Sequence, residues 1–480
     1  MSNPPIKFGT SGWRGLIARD FTFNNVRLIA QSTAEYLQSE LENPKSSIYG
    51  FKPEVIVGYD TRFLGPEFAA TVCEILEING LTPLMCHRDT PTPVISFAIR
   101  TRKAIAGINL TASHNPPEYQ GFKLSMENGA GAPADVTRRI EKRVAVLQKK
   151  KWQPEKVSSP GVYSCKTFDP KPRYLNRIRK LVDLKVIGKA QLKIGLEFMF
   201  GTGRGYLDEL LRESGTEITS FHDYLNPGFE GHGPEPSAEG MEQVRRLILS
   251  RKAKLGLGLD GDADRFGIVD QDGTWLTPNQ ILPLTLYHLK KNRGWTGAAV
   301  RTVPTSHQID AVAELLGVMV HETPVGFKHI GALMESEPII VGGEESGGLS
   351  VKGHIPEKDG ILACLLMAEL VATEGKSLKK ILTAIEKKTG PFYTDRLNIK
   401  VIPKQKDILL KRLAQGLDKI GSRSVEKFIT TDGFKFLLPG EEWVAFRASG
   451  TEPVFRCYIE AKSESGLKRL KRASTKILSS

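Results

Sequence analysis

Apolar positions recur along the chain with two different periods, and the two alternate. Val26, Ile29, Ala30, Thr33 and Leu37 follow the i, i+3, i+4, i+7 spacing of an amphipathic helix, and the run "EVIVGYD" that comes next reads as a strand. A second helix is expected to begin near Pro66 and stop at Gly80, because proline suits a first helical turn and glycine the position just past the last one. "LTPLM" and "AIAGINL" then read as buried strands. The alternation returns as "LKIGLEFM", a helix from about Tyr206, "EITSFHD", a helix around Met241 to Arg251, and "KLGLGLD". It returns again as "GAAVRTV", a helix from about Ser306, "VMVHET" and "PIIVGG". Strands alternating with helices predict mostly parallel sheets covered on both faces. Three successive α/β units are therefore expected, followed by a differently patterned α+β end beginning near Phe392.

Each of the three units finishes a buried strand in a loop of small and polar residues: "NLTASHNPP", "GLDGDADRFG" and "GGEESGG". Open α/β sheets bind ligands at the carboxyl ends of their strands, so all three loops lie where a site would be built. A fourth loop, "RASGTEP", belongs to the terminal unit, and four such loops predict one cleft assembled between domains.

Composition narrows the function classes. At 480 residues the chain exceeds one ordinary core, and about 100 to 200 residues per domain suggests three or four domains. No run approaches the roughly 18 apolar residues of a membrane span, and "MSNPPIKFGTSGW" lacks the regions of a secretory signal, so a cytoplasmic protein with no membrane partner is expected. The five cysteines are scattered and form no CxxC pair, which indicates neither a disulfide framework nor a zinc site. A formal charge of +13 favours anionic ligands. The basic residues are dispersed and no RNP, helix-turn-helix or zinc-finger pattern accompanies them. A small phosphorylated substrate therefore explains the charge better than nucleic acid does.

The loops carry the chemistry. Asp260, Asp262 and Asp264 stand at i, i+2, i+4, on one side of an extended segment, and three carboxylates so close repel unless a cation neutralises them. Hard oxygen ligands in this number favour Mg²⁺. An EF-hand would need Gly at the sixth position and Glu at the twelfth, where Arg265 and Gln271 stand. The plainer alternative is a turn whose aspartates cap backbone amides. A metal without histidine ligands suits phosphoryl transfer, for which a phosphorylated Ser113 would be a donor. Asn115-Pro116-Pro117 would force the backbone out of helix and expose Ser113; the plainer reading is a serine-rich turn capped by His114. Lys123, two residues beyond Gly121, could contact phosphate or assist proton transfer to a sugar hydroxyl. Glu344, Glu345 and Ser346 suit hydroxyl-rich sugars, because carboxylates accept hydrogen bonds from neighbouring OH groups. Arg447, Ser449, the amides around Gly450 and Thr451, and Arg456 supply what a fixed phosphate needs. With no GxxxxGK[ST], nothing points to a nucleotide as phosphate donor.

Six segments in order resemble the α-D-phosphohexomutases, the family of phosphoglucomutases and phosphomannomutases: "FGTSGWRG", "TASHNPPEYQGFKL", "GLDGDADRFG", "TPVGFKHIG", "GGEESGG" and "RASGTEPVFRCYIEA". The resemblance implies three α/β/α domains and a C-terminal α+β phosphate-binding domain around a central cleft, with boundaries at 1–156, 157–271, 272–388 and 389–480. It implies that Ser113 is the phosphoserine, and that Asp260, Asp262 and Asp264 hold Mg²⁺ together with the phosphate on Ser113. Arg14 and Arg265 would lie near that charge, with His114 beside the serine. Glu344 and Ser346 would read sugar hydroxyls, and Arg447, Ser449, Gly450, Thr451 and Arg456 would hold the distal phosphate. Lys123, Lys328 and His329 are carried over as candidates for proton transfer and substrate contact. The implied reaction interconverts glucose 1-phosphate and glucose 6-phosphate through a 1,6-bisphosphate that also serves as activator, in a monomer or homodimer. Mannose or glucosamine phosphate, or release of the bisphosphate by a synthase, are the alternatives. "GEES" resembles the glucose-preferring members.

Overall fold

The computed structural model describes residues 6–154, 165–401, 403–448 and 454–479. The chain forms two compact units, Met1–Thr277 with Ser346–Leu378, and Pro278–Glu345 with Lys379–Ser480.

The first unit holds two sheets. In the first, β1 (Trp13–Leu16), β2 (Glu54–Tyr59), β3 (Thr82–Cys86), β4 (Ala106–Leu110), β5 (Tyr119–Met126) and β6 (Lys166–Phe168) lie in the order β1-β5-β4-β2-β3-β6. β4, β2, β3 and β6 are parallel, whereas β5 runs antiparallel to both β4 and β1. Side chains alternate across a strand, so Val55 and Val57 face one way and Ile56 the other. The first pair joins a core with Val26, Ile29, Phe68, Val72, Ile140 and Val144 from three helices, while Ile56 packs with Ile95 and Ile99 of the helix Thr92–Arg102. Helices thus cover both faces, as the alternation of apolar runs predicts. A Cβ on Gly107 would stand 2.3 Å from Ile99 Cδ1, so this glycine lets the helix Thr92–Arg102 lie close against the sheet. That approach matters because Thr92, at its first turn, belongs to the site below.

The second sheet contains β7 (Lys193–Glu197), β8 (Glu217–Phe221), β9 (Leu255–Leu259), β10 (Phe266–Val269) and β11 (Trp275–Leu276), ordered β11-β10-β9-β7-β8. β7 is parallel to β8 and β9, and β10 turns back antiparallel along β9. The turn between β9 and β10 is the aspartate loop. The helix Gly360–Glu374, apolar nearly all round and buried from Gly360 through Val371, packs against both strands.

In the second unit, β12 (Ala298–Thr302), β13 (Val320–Thr323) and β14 (Ile339–Glu344) run parallel in the order β13-β12-β14. The terminal sheet is antiparallel throughout, ordered Tyr393–Lys400, Val454–Ala461, Glu442–Ala448, Phe434–Leu438, Lys427–Ile429. The predicted switch to α+β near Phe392 is where this sheet begins. No helix among the described residues is long and apolar enough to cross a membrane.

Within this unit Lys435, almost fully buried, donates to Val303 O at 2.8 Å, His307 Nε2 at 2.8 Å and Glu322 Oε2 at 3.0 Å. Burial, with Arg301 nearby, pushes its ammonium down to about 8. Between about pH 8 and the ordinary lysine value of 10.5, the unfolded chain binds a proton here that the folded chain does not. Stability relative to a Lys435→Met variant is therefore expected to rise with pH across that window, by on the order of 3 kcal/mol. Urea unfolding midpoints from pH 7 to 10.5 check it; parallel curves for the two proteins would refute it.

Candidate phosphoryl-transfer site

Two strand ends, β4 of the first sheet and β9 of the second, deliver the serine and aspartate loops to each other. Ser113 lies in the turn between β4 and β5, in the left-handed region at φ 53°, an uncommon conformation for a residue with a Cβ. Its Oγ donates to Asp260 Oδ2 at 2.8 Å. A Cβ on Gly261 would meet Ser113 O at 2.8 Å, so the glycine after Asp260 allows the loops to touch.

The three aspartates are fully buried, and each offers a carboxylate oxygen within 4.8 Å of those of the other two. Their partners differ. Asp262 Oδ2 accepts from Lys123 Nζ at 2.5 Å and from Thr92 Oγ1 at 2.5 Å. Asp264 Oδ2 accepts from Lys123 Nζ at 3.1 Å and pairs with Lys358 Nζ at 2.8 Å. Asp260 has no lysine among the described residues: it takes the Arg265 amide on Oδ1 at 3.0 Å and the serine hydroxyl on Oδ2.

The titration behaviour follows from these partners. Burial, then repulsion from Asp262 and Asp264, pushes the Asp260 carboxyl well above the usual range. Burial acts the same way on Asp262, but Lys123 and the hydrogen bonds from Lys123 and Thr92 overcome it and hold the group below that range. Burial is likewise outweighed at Asp264, by Lys123, Lys358 and Arg265. Lys123 is pulled down by burial and raised, on balance, by the two carboxylates.

Asp262 Oδ1 and Asp264 Oδ1 are buried with no hydrogen-bond partner among the described residues. A buried carboxylate oxygen left unpaired is costly, and three clustered carboxylates with two such atoms fit a hard divalent cation such as Mg²⁺. The sequence-predicted metal ligands are thus brought together, with Ser113 against one of them.

The remaining predicted residues of this unit gather around the serine. Arg14, on β1, donates to Asn115 Oδ1 at 2.5 Å. His114 Nδ1 lies 3.4 Å from Ser113 Oγ, and burial, then Arg265 and Arg14, pushes its imidazole well below the ordinary value, so it is neutral. Arg265 reaches Glu235 at 3.4 Å and lies 4.0 Å from Asp264.

A second group forms in the other unit. Glu344 Oε1 accepts the Gly326 amide at 2.9 Å, in the turn that opens the helix Phe327–Ser336, whose first turn carries Lys328 and His329. Asp432 joins this turn to the terminal sheet, accepting Val325 N at 2.8 Å and both arms of Arg447 at 3.0 and 2.9 Å. Arg447 and Arg456 are direct cross-strand partners, so both side chains leave the same face of the terminal sheet. Glu345 pairs with Arg396 at 3.5 Å. Ser346, half-buried, is the next residue in the chain and belongs to the first unit. Ser449, Gly450 and Thr451 lie outside the described residues.

Sequence reasoning missed Asp60, Arg62, Thr92, Thr111, Lys358 and Asp432. Asp60 and Arg62 follow β2 directly, and Thr111 follows β4, so the rule that sites form at strand carboxyl ends could have flagged them. Thr92 and Lys358 carry no such local signal, since only the packing of distant segments brings them to the aspartates.

Comparison with known proteins gives the same picture over the whole chain. Models of the phosphoglucomutase/phosphomannomutase alpha/beta/alpha domains I, II and III match residues 5–151, 172–273 and 277–389, and that of the C-terminal domain matches 397–476. A phosphoglucomutase/phosphomannomutase of Thermococcus kodakarensis is 29% identical over 98% of both chains. A protein of Methanosphaera stadtmanae, provisionally named phosphoglucosamine mutase, is 28% identical over 100% of this chain and 99% of its own. A crystal structure from Thermus thermophilus, provisionally named phosphomannomutase, superposes with a TM-score of 0.84 at 33% identity over 100% of each chain.

Proposed function

The chain belongs to the phosphoglucomutase/phosphomannomutase family of phosphotransferase isomerases, and from that premise we propose that it interconverts glucose 1-phosphate and glucose 6-phosphate, with Ser113 as phosphoryl carrier. One observation carries the reading: the Ser113 hydroxyl stands 2.8 Å from Asp260 in a buried cluster of three carboxylates. Asp260, Asp262 and Asp264 would hold Mg²⁺, which when bound withdraws charge from the phosphoryl group.

The chain's own residues account for the rest. Phosphorylated Ser113 gives up its phosphoryl group when a sugar hydroxyl attacks phosphorus. The Oγ–P bond breaks, a sugar O–P bond forms, and the hydroxyl proton ends on Ser113 Oγ. The resulting 1,6-bisphosphate returns its other phosphoryl group by the reverse step. Lys123, which donates to Asp262 and Asp264, would supply positive charge beside the transferring phosphoryl group and take part in proton transfer with the sugar hydroxyl. Arg14 and Arg265 add charge near the serine, with neutral His114 beside it. Glu344, braced by Gly326 N, and Ser346 would accept hydrogen bonds from sugar hydroxyls, with Lys328 and His329 as further contacts. Arg447 and Arg456, with the Ser449–Thr451 loop, would take the distal phosphate.

The glucose preference rests on the "GEES" loop. Coupled assays with glucose, mannose and glucosamine 1-phosphates, with and without added glucose 1,6-bisphosphate, test it. Glucose 1-phosphate is expected to be turned over at least ~10-fold faster than the other two, a difference of about 1.4 kcal/mol. A faster reaction with mannose or glucosamine phosphate overturns the preference, and accumulation of bisphosphate in place of glucose 6-phosphate would identify a synthase.

A further inference from the structure

The most heavily bonded side chain near the serine is one that touches no carboxylate of the triad. Arg62 is buried, with 1% of its surface exposed, and all its donor nitrogens are used. Nε donates to Asp60 Oδ2 at 3.1 Å. Nη1 donates to Pro116 O at 2.7 Å and Tyr119 O at 3.0 Å, and Nη2 to Ser113 O at 2.7 Å and Asn115 O at 2.6 Å. Four carbonyls of one short loop therefore converge on one guanidinium. Phe229 covers the group, its ring centre 5.0 Å from the guanidinium carbon.

Asp60 closes the other half of the ring. Its Oδ1 accepts the Arg62 amide at 3.0 Å, and its Oδ2 accepts the Thr111 hydroxyl at 2.6 Å. Thr111 Oγ1 in turn accepts the Ser113 amide at 2.9 Å. Both backbone polar groups of Ser113 are thus tied to the Asp60–Arg62 pair, the amide through Thr111 and the carbonyl directly. This is the residue held in the left-handed region, a conformation that persists only where its surroundings over-determine it.

We propose that Arg62, braced by Asp60, is the positioning residue of phosphoryl transfer: it holds the Ser113 backbone so that Oγ is aimed at the aspartate cluster. Only a planar fork reaches four carbonyls and a carboxylate at once, and a lysine ammonium, three donors at one point, cannot. The inference rests on the reading of Ser113 as carrier. It assigns to Arg62 the rate at which the serine gains and loses phosphate, and no part in sugar affinity.

Arg62→Lys tests it, with Thr111→Val as a milder variant that removes one hydroxyl, and with it the bonds to the Ser113 amide and to Asp60, while leaving Arg62 and its four carbonyls in place. Single-turnover labelling of Ser113 by phosphate-labelled glucose 1,6-bisphosphate is read together with kcat, KM and the unfolding midpoint. Arg62→Lys is expected to slow labelling and kcat by ~100-fold, the scale of an ångström-sized misplacement, with KM within about threefold. Thr111→Val is expected to slow both by about 10-fold. Folded Arg62→Lys protein that labels at the wild-type rate, or an effect confined to the unfolding midpoint, overturns the proposal. If Arg62→Lys does not fold, an unchanged labelling rate in Thr111→Val overturns it instead. If the wild-type protein itself takes no label, the carrier reading has failed and this proposal falls with it, whereas wild-type labelling with indifferent variants rejects Arg62 alone.

Discussion

Replacing Ser113 with alanine is expected to remove at least ~10⁴-fold of the mutase activity while leaving a folded protein. The loss is large because no other nucleophile among the described residues stands against the aspartates: the only hydroxyls bonded to them are Ser113 Oγ, on Asp260, and Thr92 Oγ1, which already donates to Asp262 and receives Asn109 Nδ2. The fold survives because the serine side chain bonds to Asp260 and His114 only, while its backbone is held independently through Arg62 and Thr111. Serine and alanine both carry a Cβ at this positive φ, so the backbone strain is unchanged in the variant, and Ser113→Gly, which relieves it, serves as control and should be equally inactive. Activity in the glycine variant within 10-fold of wild type would show that the hydroxyl is not required, which contradicts its role as carrier.

The second large effect is at Asp260. Asp260→Asn is expected to lower turnover roughly 10³-fold with the unfolding midpoint unchanged or raised. Burial and its two acidic neighbours push the Asp260 carboxyl well up, so at neutral pH an ionised Asp260 costs the folded state energy when no cation is bound, and an amide removes that cost. Asp264→Asn behaves oppositely. It takes a charge from both Lys123 and Lys358, and breaking a buried ion pair costs about 3 kcal/mol or more. Chelator-treated wild type, inactive until Mg²⁺ returns, provides the matching control. A strongly destabilised Asp260→Asn with normal turnover per folded molecule would make the triad structural.

Much of this was readable in the linear sequence because it depends on short-range pattern. Helices and strands announced themselves by period, and Ser113 and the aspartates by spacing within single loops. Lys123 was partly legible. It sits on β5, and its pairing with Asn109 on β4 carries it beneath the aspartates. The return to a strand at Tyr119 went unread because Asn115-Pro116-Pro117 masks it. The triad reads from sequence as three equivalent, mutually repelling charges. In the fold Asp262 and Asp264 are neutralised by Lys123 and Lys358, and Asp260 is the member left without a lysine among the described residues. Lys358 was out of reach of any local pattern, since "PEKDG" resembles an ordinary polar turn. Arg62 was hidden for the same reason: its five partners are carbonyls and a carboxylate on loops joined only by tertiary packing.

The most direct measurement is a pulse and chase on the wild-type protein. Labelled glucose 1,6-bisphosphate is added, the labelled peptide is mapped, and unlabelled glucose 1-phosphate is then supplied. The expected result is one labelled residue, Ser113, whose label leaves onto the sugar within a turnover and reappears in glucose 6-phosphate. Label on any other residue, or label on Ser113 that does not chase while glucose 6-phosphate forms, contradicts a phosphoserine carrier.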